Sequence, residues 1–144
     1  MASKSTITIP ATKGLNHLGL SVKKLDASIA FFVDCLGWEE SGRDDSYPRS
    51  AVSDGTVRIT LWQVDHSKAI TEFDRRQNVG LHHVALEVDS EAKLEELATK
   101  LETHPGVTIE FLPELVGAGP RKHMMCYEPG GNRVEFIWHG KKPI

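Results

Sequence analysis

The sequence predicts an α+β fold built from two βαβββ modules, and two observations support this prediction. Residues 14–22 (GLNHLGLSV) align without a gap on residues 80–88 (GLHHVALEV), 66 positions later in a chain of 144 residues. Each copy is followed by apolar residues at helical spacing and then by three short strand-like runs. Such self-similarity indicates that one supersecondary unit occurs twice. We therefore predict a single domain over 14–142, with module one at 14–64, a linker at 65–79 and module two at 80–142.

The composition excludes several classes of protein. Apolar residues make up 40% of the chain and charged residues 26%, as in ordinary globular domains, and the net charge is −3. The chain lacks the basic excess of a nucleic-acid-binding protein and the run of roughly 18 apolar residues that a membrane helix needs. Residues 1–13 are polar and are predicted to form a flexible arm, without the apolar run of a signal peptide. We expect a cytoplasmic protein with neither nucleic acid nor membrane as partner, in which Cys35 and Cys126 are reduced and structural.

Module one begins with a strand near 18–22 and continues with a helix over Lys23–Leu36. Asp26 and Ser28 lie near the predicted start of this helix, and Gly37 ends it. Turn residues then separate three further runs that are typical of strands: Trp38–Gly42, Arg49–Ser53 and Thr56–Val64, the last two joined by an Asp54-Gly55 hairpin turn.

Module two repeats this order. After the second copy of the motif, Ser90 is predicted to cap a helix that runs to Thr103 and ends before Pro105-Gly106. The strands that follow are predicted at Val107–Leu112, Lys122–Glu128 and Arg133–Trp138, with the turn Pro129-Gly130-Gly131-Asn132 before the last one.

Strand alternation places two histidines at equivalent positions. His17 and His83 are predicted on the strand face turned away from the helix of each module, whereas His82 is predicted to point toward the helix. Small residues share their face, which leaves room for a bound group. In the last strand, Glu135 is predicted to lie opposite to the apolar face formed by Val134, Phe136 and Trp138.

These features resemble the vicinal oxygen chelate superfamily, which includes glyoxalase I, extradiol dioxygenases, fosfomycin-resistance enzymes, methylmalonyl-CoA epimerase and bleomycin-resistance proteins. The resemblance spans about residues 14–140 and is carried by 14–22, 80–88 and the segment 128–136 (EPGGNRVEF). It implies one glyoxalase-like domain, in which the sheets of two βαβββ modules curl around a shared metal-binding cleft.

The resemblance also implies a ligand set. His17, His83 and Glu135 match the metal ligands of the superfamily. Two imidazoles and one carboxylate hold one face of a divalent metal ion and leave positions open for substrate, and Zn, Ni, Mn and Fe all fit such a site. Glyoxalase I and the epimerase have a fourth ligand in the last strand of module one. Here that position is occupied by Ile59 or Thr60, depending on the alignment, and Gln63 reaches it only with a shift of register.

Further site residues are predicted nearby. Glu135, His123 and Tyr127 are the candidate catalytic residues, because His123 and Tyr127 share a strand face from which either side chain can move a proton near the metal. Arg121 and Lys122 follow the glycine-rich segment 117–120 and are candidates for binding an anionic substrate.

The resemblance favours a metal-dependent lyase or isomerase that acts on a small oxygenated substrate through a stabilised enolate or oxyanion. One alternative is an extradiol-type dioxygenase with Fe(II) or Mn(II), and another is a metal-free binding protein like the bleomycin-resistance proteins. A homodimer is implied by resemblance alone. Since some members build the cleft from modules of two chains, the site is expected either within one chain or between two.

Overall fold

The structure, a computed structural model, describes residues 9–141 and contains two halves of the same construction. Residues 1–8 of the predicted arm and residue 142 of module two lie outside the described residues. The strands and helices, in chain order, are β1 (Leu18–Val22), α1 (Leu25–Ala30), a π-helical segment (Phe31–Cys35), β2 (Glu39–Asp44), β3 (Arg49–Ser53), β4 (Arg58–Gln63), β5 (Val84–Glu87), α2 (Glu91–Thr103), β6 (Thr108–Leu115), β7 (Lys122–Tyr127) and β8 (Arg133–Trp138).

Each half forms its own four-stranded mixed sheet. The strand orders are β1-β4-β3-β2 and β5-β8-β7-β6, so the two sheets have the same topology and do not close into one barrel. The pairs β1–β4 and β5–β8 are parallel, and all other neighbouring strands of the two sheets are antiparallel. The predicted α+β fold with two βαβββ units is confirmed.

The first helix departs from the prediction at both ends. It begins at Leu25 after Lys24, and no side chain of its own first turn caps it. Instead, the backbone N–H of Leu25 donates a hydrogen bond of 2.9 Å to Oε1 of Gln63 at the end of β4. The helix widens into the π-helical segment at Phe31, where Phe31 and Phe32 are both fully buried. The cap of α2 is as predicted, because Oγ of Ser90 accepts the N–H of Lys93 at 3.1 Å.

One continuous hydrophobic core joins the halves. It contains the helix-facing side chains of both sheets and the inner faces of the helical segments, including Leu20, Val22, Phe31, Phe32, Ile59, Leu61, Leu86, Leu94, Leu101, Met124, Val134 and Phe136. Successive side chains of a strand point to opposite faces, so each sheet has a second face that points away from this core. We call this second face the open face. Cys35 and Cys126 are unpaired and buried, and burial raises the pKa of the Cys126 thiol to about 12.

The turn between β7 and β8 is organised by the buried carboxylate of Glu128, which is 1% exposed. Oε1 accepts hydrogen bonds from the hydroxyl of Ser28 at 2.7 Å and from the N–H of Gly130 at 2.6 Å. Oε2 accepts the backbone N–H of Asn132 at 3.0 Å and its Nδ2 at 2.9 Å. A buried carboxylate is tolerated when its oxygens are hydrogen-bonded in this way, and Ser28 belongs to the other half. The contact therefore ties module two to α1; we call it the Glu128 clamp.

Backbone contacts reinforce the Glu128 clamp. The N–H of Lys23 donates to the carbonyl of Gly130 at 3.1 Å, and Nδ2 of Asn132 donates to the carbonyl of Ser21 at 2.9 Å. A Cβ atom on Gly130 would lie 2.3 Å from Oγ of Ser28, so the close approach of the turn to α1 requires glycine.

Residues 64–83 connect the two sheets without a helix or strand. They are held by local side-chain contacts, such as the hydrogen bond of 2.7 Å from the N–H of Asp74 to Oδ1 of Asn78. No helix within residues 9–141 is long and apolar enough to cross a membrane.

Replacement of Glu128 by alanine is expected to lower the free energy of unfolding by about 3 kcal/mol or more, because buried N–H donors then lose their acceptor. The matched variant Ser28→Ala removes one donor and leaves the turn intact, so it should cost only about 1 kcal/mol. Urea unfolding of both variants measures the difference. Equal losses in the two variants would contradict the central role of the carboxylate.

Candidate functional site

The open face of the second sheet carries the candidate chemistry. Strand alternation places Glu135 of β8 on this face, while its neighbours Val134 and Phe136 enter the core. Glu135 pairs with Ala85 of β5 on one side and with Met125 of β7 on the other. The carboxylate thus stands between β5, which His83 immediately precedes, and β7, which contains His123.

Three side chains meet there, and we call them the histidine–glutamate cluster: His83, His123 and Glu135. Nε2 of His83 lies 3.1 Å from Oε1 of Glu135, and Nδ1 of His123 lies 2.5 Å from Oε2. The side chain of Glu135 is 11% exposed and that of His83 is 34% exposed, so the cluster is sheltered from solvent but reachable. The ring of Phe111 packs against His123, with 4.9 Å between the ring centroids.

His17 lies apart from this cluster. It immediately precedes β1, as His83 precedes β5, and its side chain is exposed. Nδ1 of His17 forms a hydrogen bond of 2.8 Å with Oδ1 of Asn16. Within residues 9–141, it makes no ion pair with Glu135. The structure therefore brings together two of the three predicted ligands and adds His123 to them.

The position that corresponds to Glu135 in the first sheet is Thr60. Thr60 pairs with Gly19 as Glu135 pairs with Ala85, so the strand register selects Thr60 rather than Ile59, which is fully buried. Oγ1 of Thr60 accepts a hydrogen bond of 2.9 Å from Nε1 of Trp62. The side chain of Gln63 caps α1 and is not at this position. The first half therefore has the hydroxyl of Thr60 where the second half has the carboxylate of Glu135.

A second group of polar side chains lies on the same open face, and we call it the arginine–tyrosine cluster: Arg75, Glu110, Tyr127 and Arg133. Arg133 binds Glu110 through two hydrogen bonds, from Nε at 2.8 Å and from Nη2 at 2.6 Å. The hydroxyl of Tyr127 accepts Nη1 of Arg75 at 2.8 Å and donates to Oε1 of Glu110 at 3.3 Å. The hydrogen bonds from Arg133 hold the pKa of Glu110 below its usual range.

His82 connects the two clusters, contrary to the prediction that it faces the helix. Its Nδ1 lies 2.8 Å from Nδ1 of His83 and 3.3 Å from Nη1 of Arg133. Desolvation and the charge of Arg133 lower the pKa of His82 below 6.5. His82 precedes β5, where the alternation of a regular strand does not determine the direction of a side chain.

The structure separates Arg121 and Lys122 from these clusters. Nζ of Lys122 lies 2.9 Å from a carboxylate oxygen of Glu91 and 2.9 Å from one of Glu95, both on α2. These hydrogen bonds raise the pKa of Lys122 and join β7 to the helix. Arg121 is exposed in the loop before β7.

Sequence analysis missed Arg75, Glu110 and Arg133. The position of Arg133 carried a usable signal, because it lies two residues before Glu135 on the same strand face. Arg75 lies in the linker, which has no periodic pattern.

The described side chains do not form a complete set of metal ligands. Among residues 9–141, no group of three or more His, Cys, Asp and Glu side chains is arranged to hold a metal ion. The sequence profile of the Glyoxalase/Bleomycin resistance protein/Dioxygenase superfamily matches residues 14–136. The chain belongs to this superfamily. No curated protein sequence matches the chain significantly.

Solved structures share the fold at low sequence identity. A glyoxylase/bleomycin resistance protein/dioxygenase domain from Frankia sp. EAN1pec is 22% identical with a TM-score of 0.75, over 90% of this chain and 99% of that one. Lactoylglutathione lyase from Agrobacterium tumefaciens is 21% identical with a TM-score of 0.66, over 90% and 96%. The fosfomycin resistance protein FosX from Listeria monocytogenes is 20% identical with a TM-score of 0.66, over 88% and 93%. At these identities the likeness extends to the fold alone.

The ion pair between Arg133 and Glu110 has a measurable signature. Since the folded pKa of Glu110 is lowered, the pair stabilises the fold above pH 4.5, and this contribution is lost as the pH falls through the folded pKa. Arg133→Met is expected to raise the pKa of Glu110 toward 4.5, as measured by NMR of the side-chain carboxyl carbon. Arg121→Met is the matched control and should leave that pKa unchanged. An unchanged pKa of Glu110 in Arg133→Met would contradict the assignment.

Proposed function

We propose that this protein is a divalent-metal-dependent enzyme of the lyase or isomerase type that acts on a small oxygenated substrate. The observation that supports this proposal most strongly is the distance of 3.1 Å between Nε2 of His83 and Oε1 of Glu135 on the open face. Both residues match metal ligands of the superfamily, and His123 supplies a further imidazole beside the same carboxylate.

The chemistry of the donor set fits a divalent ion. An imidazole nitrogen of His83 and a carboxylate oxygen of Glu135 lie side by side on the open face, so the two residues would hold one divalent ion together. Imidazole and carboxylate donors suit Zn, Ni, Mn and Fe alike. The contact of Nδ1 of His83 with His82 would orient the ring, as partners of ligating histidines commonly do.

We propose that His17 completes the ligand set across a homodimer. The repeat makes His17 the equivalent of His83, but in one chain the two residues lie in separate sheets whose helix-facing sides share a single core. His17 has no partner other than its neighbour Asn16 among the described side chains, and it is exposed. A second copy that presents its His17 to His83 and Glu135 would supply the missing donor.

The side chains around the proposed metal ligands suit proton transfer. A bound divalent ion would act as a Lewis acid that stabilises negative charge on two neighbouring substrate oxygens. His123 is positioned to hold a proton against Oε2 of Glu135 at 2.5 Å. The ring of Phe111 packs against that of His123. Tyr127, whose hydroxyl binds Arg75 and Glu110, is the second candidate for moving a proton.

Two other functions are tested by the same experiments. A ring-cleaving dioxygenase with Fe(II) or Mn(II) is favoured by residue type on β7, because His123 and Tyr127 resemble the His and the Tyr that precede the turn in the extradiol branch. A metal-free binding protein is favoured by the incomplete ligand set of the single chain.

Metal content measured by mass spectrometry tests the ligand assignment. We expect about one divalent ion per chain in the wild type and its loss in His17→Ala, His83→Ala and Glu135→Ala. His139→Ala, a histidine at the end of the same sheet that pairs with Glu87, is the matched control and should retain the metal. Iron would favour the dioxygenase. A wild type that takes up no metal after reconstitution would refute the enzyme and favour the binding protein.

Mixing two defective variants tests whether the site is shared. His17→Ala and Glu135→Ala each lack one ligand, so a heterodimer in which sites lie between chains contains one intact site and one doubly defective site. We expect the mixture, after subunit exchange, to recover up to about a quarter of the wild-type metal content, since half of the dimers in a random mixture are mixed. No recovery in a verified heterodimer would show that each site uses one chain only.

A further inference from the structure

Three side chains of the arginine–tyrosine cluster line a cavity beside the proposed metal ligands. Arg75, Tyr127 and Arg133 line it together with His82, and its volume is about 330 Å³. Arg75 comes from the linker, Tyr127 from β7 and Arg133 from β8, so the cavity forms where the linker crosses the open face of the second sheet.

We propose that this cavity binds an anionic oxygen group of the substrate, a carboxylate or a phosphate, through hydrogen bonds from Arg75, with the positive charge of Arg133 beside them. The inference rests on the proposed function and narrows its substrate class to small acids. The inference assigns anion binding to Arg75 in place of Arg121 and Lys122, the candidates from the sequence. The ammonium group of Lys122 is already paired with Glu91 and Glu95 on α2.

The charges in the cluster favour an anion. Two guanidinium groups share one carboxylate, because Arg133 binds Glu110 through two hydrogen bonds and Arg75 lies 3.8 Å from the same Oε1. Asp74 lines the cavity too, but its Oδ1 accepts the N–H of Arg76 at 2.9 Å and its side chain is exposed to solvent.

Hydrogen-bond donors remain available. Within residues 9–141, Nε and Nη2 of Arg75 have no hydrogen-bond partner, since only Nη1 is used, by Tyr127. These two N–H groups form one edge of a planar guanidinium, which matches the two oxygens of a carboxylate or phosphate. The guanidinium is partly buried, with 31% of the side chain exposed, so an anion there is less screened than on an open surface.

The cavity is next to the proposed metal ligands. His82 lines the cavity and contacts His83, whose other ring nitrogen faces Glu135. One molecule can therefore place its anionic group between the arginines and direct its remaining oxygens toward the histidine–glutamate cluster. Such anchoring away from the reacting atoms orients the substrate.

Titration of the full-length protein with inorganic phosphate and with acetate, at constant ionic strength and followed by calorimetry, tests the inference. We expect saturable binding of at least one of the two anions to one site, and the anion bound more tightly identifies the group. Arg75→Gln should weaken this binding by roughly tenfold or more, as expected for loss of a charge-assisted hydrogen-bond pair. Arg76→Gln is the matched control, with the same charge change at the next position of the linker, and should change the affinity by less than about twofold.

A variant with the opposite effect sharpens the test. Glu110→Gln removes the carboxylate that neutralises the arginines, so the same anion should bind more tightly, by about threefold or more. Absence of saturable binding by the wild type, equal affinity of Arg75→Gln and wild type, equal weakening by Arg75→Gln and Arg76→Gln, or unchanged or weaker binding by Glu110→Gln would each overturn the inference.

Failure of the inference and failure of the proposed function give different results. Glu135→Ala should lose the metal and retain binding of phosphate or acetate, because among the described residues Glu135 forms no hydrogen bond or ion pair with the arginine–tyrosine cluster. Arg75-dependent anion binding without metal in the wild type would refute the enzyme while supporting the anion site. Metal that depends on Glu135, with anion binding indifferent to Arg75, would support the enzyme and overturn the anion site.

Discussion

The buried carboxylate of Glu128 is the interaction on which the arrangement of this protein depends. A carboxylate withdrawn from water is stable only when its oxygens are saturated with hydrogen bonds, and here four donors meet that requirement. Three of the donors belong to the turn and one to α1, so the same requirement shapes the turn and fixes the second half against the first. The turn ends at Asn132, one residue before β8. The clamp therefore also sets where Glu135 enters the sheet, and the position of the candidate site follows from a contact on the other side of that sheet.

The open face of the second sheet has a consistent arrangement along its strands. The histidine–glutamate cluster lies at its centre, between small or flexible neighbours, and the arginine–tyrosine cluster lies beside it, where the linker crosses. His82 and His83 are adjacent in sequence and join the clusters through their rings. The face thus combines groups suited to bind a cation with groups suited to bind an anion.

Much of this arrangement followed from sequence pattern. The repeated motif established two equivalent halves, and alternation along β8 placed Glu135 opposite to Phe136. Alternation along β7 placed His123 and Tyr127 on one face. Lys122 was expected to bind an anionic substrate, but its side chain contacts Glu91 and Glu95 of α2. The features that the sequence did not predict lie in segments without periodic hydrophobicity or depend on contacts between residues far apart in the chain. Gln63 caps a helix 38 residues earlier in the chain, Arg75 is positioned by an irregular linker, and the direction of His82 is set by neighbours in space.

Thr60 has an electrostatic consequence for the proposed site. With a second acid at this position, two carboxylates would balance a divalent ion, and the complex of ion and protein ligands would be neutral. A threonine contributes no charge, so a divalent ion held by one carboxylate and neutral imidazoles retains a net charge of about +1. This net positive charge would attract a negatively charged molecule, as would the positive charge of the two arginines that share Glu110. At the proposed metal site, the replacement of a carboxylate by Thr60 would therefore favour a negatively charged substrate.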